Sequence, residues 1–172
     1  MKTRAVRLYG KSDLRTETFE LPQIADDELL VKVMTDSICM STYKAVTQGS
    51  DHKRVPDDIN EKPVIVGHEF AGVIVKVGKK YADQFHENEH FALQPTLNYK
   101  GTLWAPGYSF QYYGGASTYC IIPHQAMEMG CILPYSGDSY YEASLGEPIS
   151  CIIAAYKSNY HTNMINYDHA ME

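Results

Sequence analysis

Residues 63–78 read Pro-Val-Ile-Val-Gly-His-Glu-Phe-Ala-Gly-Val-Ile-Val-Lys-Val-Gly. Within them Val73, Val75 and Val77 alternate with Ile74 and Lys76, a period of two that predicts a β-strand. Gly72 lies inside that strand and predicts a bulge or a close backbone approach. His68 and Glu69 stand just before it, where a loop can present side chains beside a rigid sheet.

Working outward, residues 3–9 and 28–38 read as strands, the second rich in Leu and Val and preceded by the turn signal Asp26-Asp27. Residues 41–48 predict a short helix closed by Gly49. Residues 50–63 read as a polar loop with two prolines and a small basic run, His52-Lys53-Arg54. Residues 91–94 and 118–122 add short strands, and many short strands separated by loops predict a barrel-like or sandwich-like β domain. The pattern changes near residue 147. Pro148 suits a first helical turn, and Ile149, Ile152, Ile153 and Tyr156 fall on one helical face. No Gly-x-Gly-x-x-Gly phosphate turn occurs in the sequence.

With 172 residues the chain is long enough for one domain with a real core. At 44% hydrophobic and 21% charged residues, its composition is that of an ordinary globular protein. A formal net charge of −6 speaks against a general nucleic-acid binder, which carries a basic face. No apolar run approaches the ~20 residues that span a bilayer, so no membrane partner is expected. The start, Met1-Lys2-Thr3-Arg4, leads into a strand-like segment without a secretory apolar core, which predicts a cytoplasmic protein. Cys39, Cys120, Cys131 and Cys151 are scattered, so a disulfide framework is not expected. Cys120, Cys131 and Cys151 read as buried free thiols. Many of the 14 tyrosines cluster in residues 99–119, a composition that suits the wall of a polar pocket.

Three features could carry chemistry: Cys39 at the end of a strand, His68-Glu69 before another, and Glu147 at a helix start. A thiolate, an imidazole and a carboxylate make a plausible catalytic zinc set, with a fourth position left for water or substrate. Their wide separation in sequence makes spacing alone a weak argument. On chemistry alone His68 also fits a satisfied, partly buried histidine, and Glu147 an N-terminal charge favoured by the helix dipole.

The segment GHEFAGVIVKVG, residues 67–78, resembles the signature of zinc-dependent medium-chain alcohol and polyol dehydrogenases. The strand-end segment Ser37-Ile38-Cys39-Met40-Ser41, about thirty residues upstream, and Leu145-Gly146-Glu147-Pro148 downstream match that family in order and distance. The resemblance covers essentially the whole chain. Residues 39–56, 94–101, 105–115 and 147–162 look most like the L-sorbose-1-phosphate reductase subgroup.

The resemblance implies a mainly β, GroES-like, partly open barrel with short helices over residues 1–146. Residues 147–172 would be a linker helix leading to a Rossmann domain that the sequence does not include. It implies one catalytic zinc held by Cys39, His68 and Glu147, with Glu69 beside the site as a conditional ligand. It implies NAD(P)H bound through the absent domain, by residues this sequence cannot name. Ser41 matches the hydroxyl that passes a proton to substrate, although Ser also favours helix N-caps. Thr42 departs from the acidic residue many relatives place there, so the support of His68 must differ. Lys44 departs from the relay histidine.

Many relatives hold a second, structural zinc with four cysteines; residues 91–115 contain none, so no structural zinc is expected. The tyrosine-rich lobe must then be held by ordinary packing or by another subunit. Lys53 and Arg54 could hold a substrate phosphate, or form a solvated surface loop; Lys100 is a weaker candidate. The expected partners are a sugar phosphate or polyol and further copies of the chain, as a dimer or tetramer. The expected reaction interconverts a ketose phosphate and a polyol phosphate, L-sorbose 1-phosphate and D-glucitol 6-phosphate, with the present piece inactive alone. The alternatives are an enzyme for an unphosphorylated polyol or secondary alcohol, and a non-catalytic GroES-like zinc module.

Overall fold

The signature stretch lies at the centre of the larger of two antiparallel sheets, in a computed structural model that describes residues 1–160, with side chains through residue 157. The strands are β1 (Lys2–Gly10), β2 (Asp13–Glu20), β3 (Leu29–Asp36), β4 (Val64–Ile65), β5 (Phe70–Val77), β6 (His90–Leu93), β7 (Tyr119–Ile122) and β8 (Ile132–Pro134). The helices are α1 (Met40–Gln48), α2 (His124–Glu128), α3 (Tyr140–Ser144) and α4 (Gly146–Tyr160). The sheet orders are β2-β1-β4 and β7-β3-β5-β6-β8, both open, and an Ala5–Ser117 bridge links them. The expected mainly β fold with short helices is what forms.

β5 pairs with β3 so that Phe70 faces Asp36, Ala71 faces Thr35 and Gly72 faces Val33. The step past Met34 is a bulge in β3, and it answers the glycine opposite. A Cβ on Gly72 would lie 2.0 Å from the Lys32 carbonyl oxygen, so only glycine lets the strands come this close. The bulge turns the end of β3 towards the loop that carries His68.

The main core fills the larger sheet's inner face with Leu29, Val31, Phe70, Ile74, Phe91, Cys120 and Ile122. A second cluster packs Leu8 of β1 and Ala45 of α1 against Val64, Val66, Ala105 and Tyr108. Each fully buried large side chain contributes roughly 1.5–3 kcal/mol of transfer free energy. The second cluster fixes α1 against the loop before β5, and those are the two carriers of the sulfur and the imidazole.

Several elements differ from expectation. β2 has no fully buried residue; its charged run hides a strand that is held to β1 by backbone pairing along a sheet edge. The loop at 50–63 is not wholly polar, because Val55 and Ile59 are buried in the second cluster. The reading of Cys151 as a buried thiol is corrected: it lies exposed on α4, while Cys120 and Cys131 are buried. On α4 the apolar stripe does not face the core, since Ile149, Ile152, Ile153 and Tyr156 are 49%, 62%, 50% and 64% exposed. The remainder of the expected 147–172 segment, residues 161–172, lies outside the described residues. Among the described residues no helix is long and apolar enough to cross a membrane.

The cysteine-free lobe at 91–115 is held by rings. Tyr99 stacks on Trp104, Trp104 meets Phe110 edge-on, and Phe110 meets Tyr113, which reaches Phe70 of β5. Edge-to-face pairs of this kind add about 0.5–1.5 kcal/mol each beyond burial.

Candidate metal centre

Helix α1 begins at Cys39, its N-cap residue, so Ser41 sits inside the first turn and does not serve as the cap. The loop before β5 turns at Gly67, where φ is +91° and a Cβ would strike the Asp36 carboxylate at 2.1 Å. That turn delivers His68 and Glu69 to the start of α1. The sulfur of Cys39, a ring nitrogen of His68 and a carboxylate oxygen of Glu69 all lie within 4.8 Å of one another. His68 and Glu69 are 8% and 5% exposed, an unusual depth for two ionisable side chains in contact.

The contacts around this trio are directional. Ser41 Oγ donates to Cys39 Sγ at 2.9 Å and lies 3.2 Å from His68 Nε2. Tyr108 OH donates to Ser41 Oγ at 2.8 Å. On the far side of the imidazole, Thr42 Oγ1 is 3.3 Å from Nδ1. The threonine thus takes up the orienting position that its departure from the acidic pattern had left open. Glu69 Oε1 lies 3.8 Å from His68 Nε2, while Oε2 accepts a short hydrogen bond from Ser37 Oγ.

Burial pushes the His68 pKa down; the Glu69 carboxylate raises it in part and Arg54 lowers it further. The ring is therefore neutral near neutral pH, with a lone pair free to bind a metal. Burial pushes the Asp36 carboxyl up to about 7, against the opposing hydrogen bond it accepts from the Glu69 N–H. The donor set fits zinc: thiolate, imidazole and carboxylate are its usual ligands, and bonds of about 2.0–2.3 Å place ligand atoms roughly 3.3–3.8 Å apart. The 3.8 Å between Nε2 and Oε1 is a few tenths of an ångström wider than the roughly 3.3–3.5 Å of a tetrahedral nitrogen–oxygen pair on zinc, so a small shift of either side chain would close it.

Of the trio, His68 lines a cavity of about 320 Å³ whose walls also include Ser41, Arg54, Trp104, Tyr108 and Glu147. Glu147, in the first turn of α4, lies in this wall and outside the tight trio. Its Oε1 accepts a hydrogen bond from Cys151 Sγ at 3.1 Å. Its pKa is raised by burial first and also by the Glu69 carboxylate nearby, with the Cys151 contact opposing. Arg54 also lines the cavity, and its Nη1 donates to the Leu103 carbonyl at 3.4 Å. Lys53 is exposed and does not line it, and Lys100 is exposed with its ammonium over the Tyr99 ring. Lys44 is exposed on α1.

Tyr108, Ser37 and Asp36 were not singled out by the sequence. Tyr108 lies 67 residues from the serine it touches, so its only signal was membership of a tyrosine-rich lobe. Its ring also stacks on His52, with centroids 5.5 Å apart.

The alcohol dehydrogenase GroES-like domain matches residues 25–130, and the chain belongs to that family. It is 47% identical over 169 residues to the L-sorbose 1-phosphate reductase of Klebsiella pneumoniae, covering 98% of this chain and 41% of that protein. It is 51% identical over 170 residues to the mannitol-1-phosphate 5-dehydrogenase of Aliivibrio fischeri, covering 99% and 40%. Among solved structures, the 2R,3R-butanediol dehydrogenase of Bacillus subtilis superposes with a TM-score of 0.73 at 25% identity, over 91% of this chain and 47% of that one. The chain thus spans about two fifths of the length of these curated relatives.

Proposed function

We propose that this chain is the metal-holding part of a zinc-dependent dehydrogenase that interconverts a ketose phosphate and a polyol phosphate, L-sorbose 1-phosphate and D-glucitol 6-phosphate. The observation that carries this is the close Cys39–His68–Glu69 trio, with His68 in the wall of a cavity that Arg54 also lines. Two relatives with names that specify sugar phosphates support the substrate class. NAD(P)H would carry the hydride, and the 172 residues tested by themselves would show no turnover.

Cys39, His68 and Glu69 would hold the zinc, and Glu147 is the further carboxylate on the same cavity wall. Bound there, zinc supplies Lewis-acid polarisation of a carbonyl oxygen, while hydride chemistry belongs to the nicotinamide. Ser41, in the same cavity wall, would deliver a proton to the substrate oxygen during reduction. Tyr108 sits behind Ser41 with its O–H already pointing at the serine oxygen, so it can replace the proton that Ser41 gives up. Burial raises the Tyr108 pKa, which keeps that proton in place at neutral pH. The Arg54 guanidinium can take the substrate phosphate through paired N–H donors. Lys53 would then act only through charge at the rim.

In the full-length enzyme, Arg54→Ala should raise KM for the phosphate ester about tenfold or more, a charge-assisted bond being worth roughly 1.5–3 kcal/mol, with little change in kcat. An unchanged KM for the phosphate ester, with equal turnover of the unphosphorylated polyol, would favour the plain polyol enzyme instead.

A further inference from the structure

Glu69 is held at three points by two consecutive residues at the end of β3. Its backbone N–H donates to Asp36 Oδ1 at 3.2 Å. Its carbonyl accepts from the Ser37 N–H at 3.0 Å. Its side-chain Oε2 accepts from Ser37 Oγ. Asp36 is itself wedged between Gly67 and Gly115, where a Cβ would approach its carboxylate at 2.1 and 2.5 Å. Among the described residues nothing comparable holds Glu147, whose side chain meets Cys151 on its own helix and the Glu69 carboxylate beside it.

Resting on the reading that Glu69 is a metal ligand, we infer that Ser37 is a positioning residue, which ties up one oxygen of Glu69 and leaves only Oε1 to face the metal. A carboxylate with both oxygens free can bind a cation through one or both, and the second mode consumes a coordination position that substrate needs. The Ser37 hydroxyl removes that choice before the metal arrives. It has a competing acceptor, the Ser144 carbonyl at 3.3 Å, but the Glu69 oxygen is much the nearer. A charged acceptor also makes the stronger bond. Ser144 lies at the end of α3, so the clamp also ties the metal loop to the element that leads into α4.

The test is metal binding by the full chain, read without turnover. Cobalt replaces zinc as a coloured probe, and affinity is measured by competition with a chelator. Ser37→Ala should weaken binding about tenfold or more, the range seen when a hydrogen bond to a metal ligand is removed. It should also lower the visible cobalt absorbance, because a higher coordination number weakens those bands. Ser37→Thr, which keeps the hydroxyl, should restore both. Parent-like affinity and spectrum in Ser37→Ala would overturn the clamp, as would a Ser37→Thr protein that behaves like the alanine variant. Glu69→Ala separates the two layers: if it too binds cobalt as the parent does, the ligand assignment fails and the clamp falls with it.

Discussion

The two carboxylates of this site, Glu69 and Glu147, sit in opposite surroundings. Glu69 stands at the start of a central strand, buried, with its backbone and one side-chain oxygen bonded to Asp36 and Ser37. Glu147 stands on a helix whose apolar stripe is about half exposed, and it is held from within that helix by Cys151. A sheet position gains its geometry from long-range pairing on both sides, whereas Glu147 is placed by a contact within its own helix and by the neighbouring Glu69 carboxylate. In the β half of the site the fold fixes the carboxylate on three sides, whereas in the helical half the carboxylate lies on a helix whose apolar stripe is exposed.

The sharpest way to break the β half is to deny the strands their close approach. Gly72→Ala would push a methyl into the Lys32 carbonyl, and unfolding measurements should show a loss beyond about 3 kcal/mol or no folded protein. A loss under 1 kcal/mol would mean that the bulge in β3 is not held by this contact.

Next in size is the contrast between the two halves. Cys39→Ser should lower zinc affinity about 100-fold or more, and Glu147→Gln no more than about tenfold, measured by chelator competition. Equal losses would place Glu147 beside Cys39 among the ligands.

The smallest effect concerns the thiols. Burial pushes Cys120 up to about 12 and Cys131 up to about 11, so both remain protonated and unreactive at pH 8, and only rising pH through those values would charge them. Cys151 is exposed and should be alkylated first despite its bond to Glu147. Labelling followed by peptide mapping checks this order, and early modification of Cys120 would contradict the packed β half.

The strands at the centre of the sheet were legible because their apolar alternation is strong, and Gly72 announced a special backbone position. β2 was not, since an edge strand with no fully buried residue has no apolar alternation to show, and here it carries charges. The same holds in the site. Cys39, His68 and Glu69 could be picked out by residue type and by the family signature, but Ser37 and Tyr108 belong to common residue types at uninformative spacings. Arg54 and Lys53 were indistinguishable in sequence, and a single step along the backbone separates the cavity wall from solvent.

By itself the sequence determined the family, the β character of the chain and the residue types able to bind a metal, because these depend on local pattern and on donor chemistry. Only the tertiary structure decided that Glu69, rather than Glu147, joins Cys39 and His68 at close range, that Thr42 stands behind the imidazole, and that Tyr108 backs Ser41. Those are distances between segments far apart in the chain. They are fixed by a bulge, by two glycine-lined close approaches and by the packing of α1, none of which a one-dimensional pattern encodes.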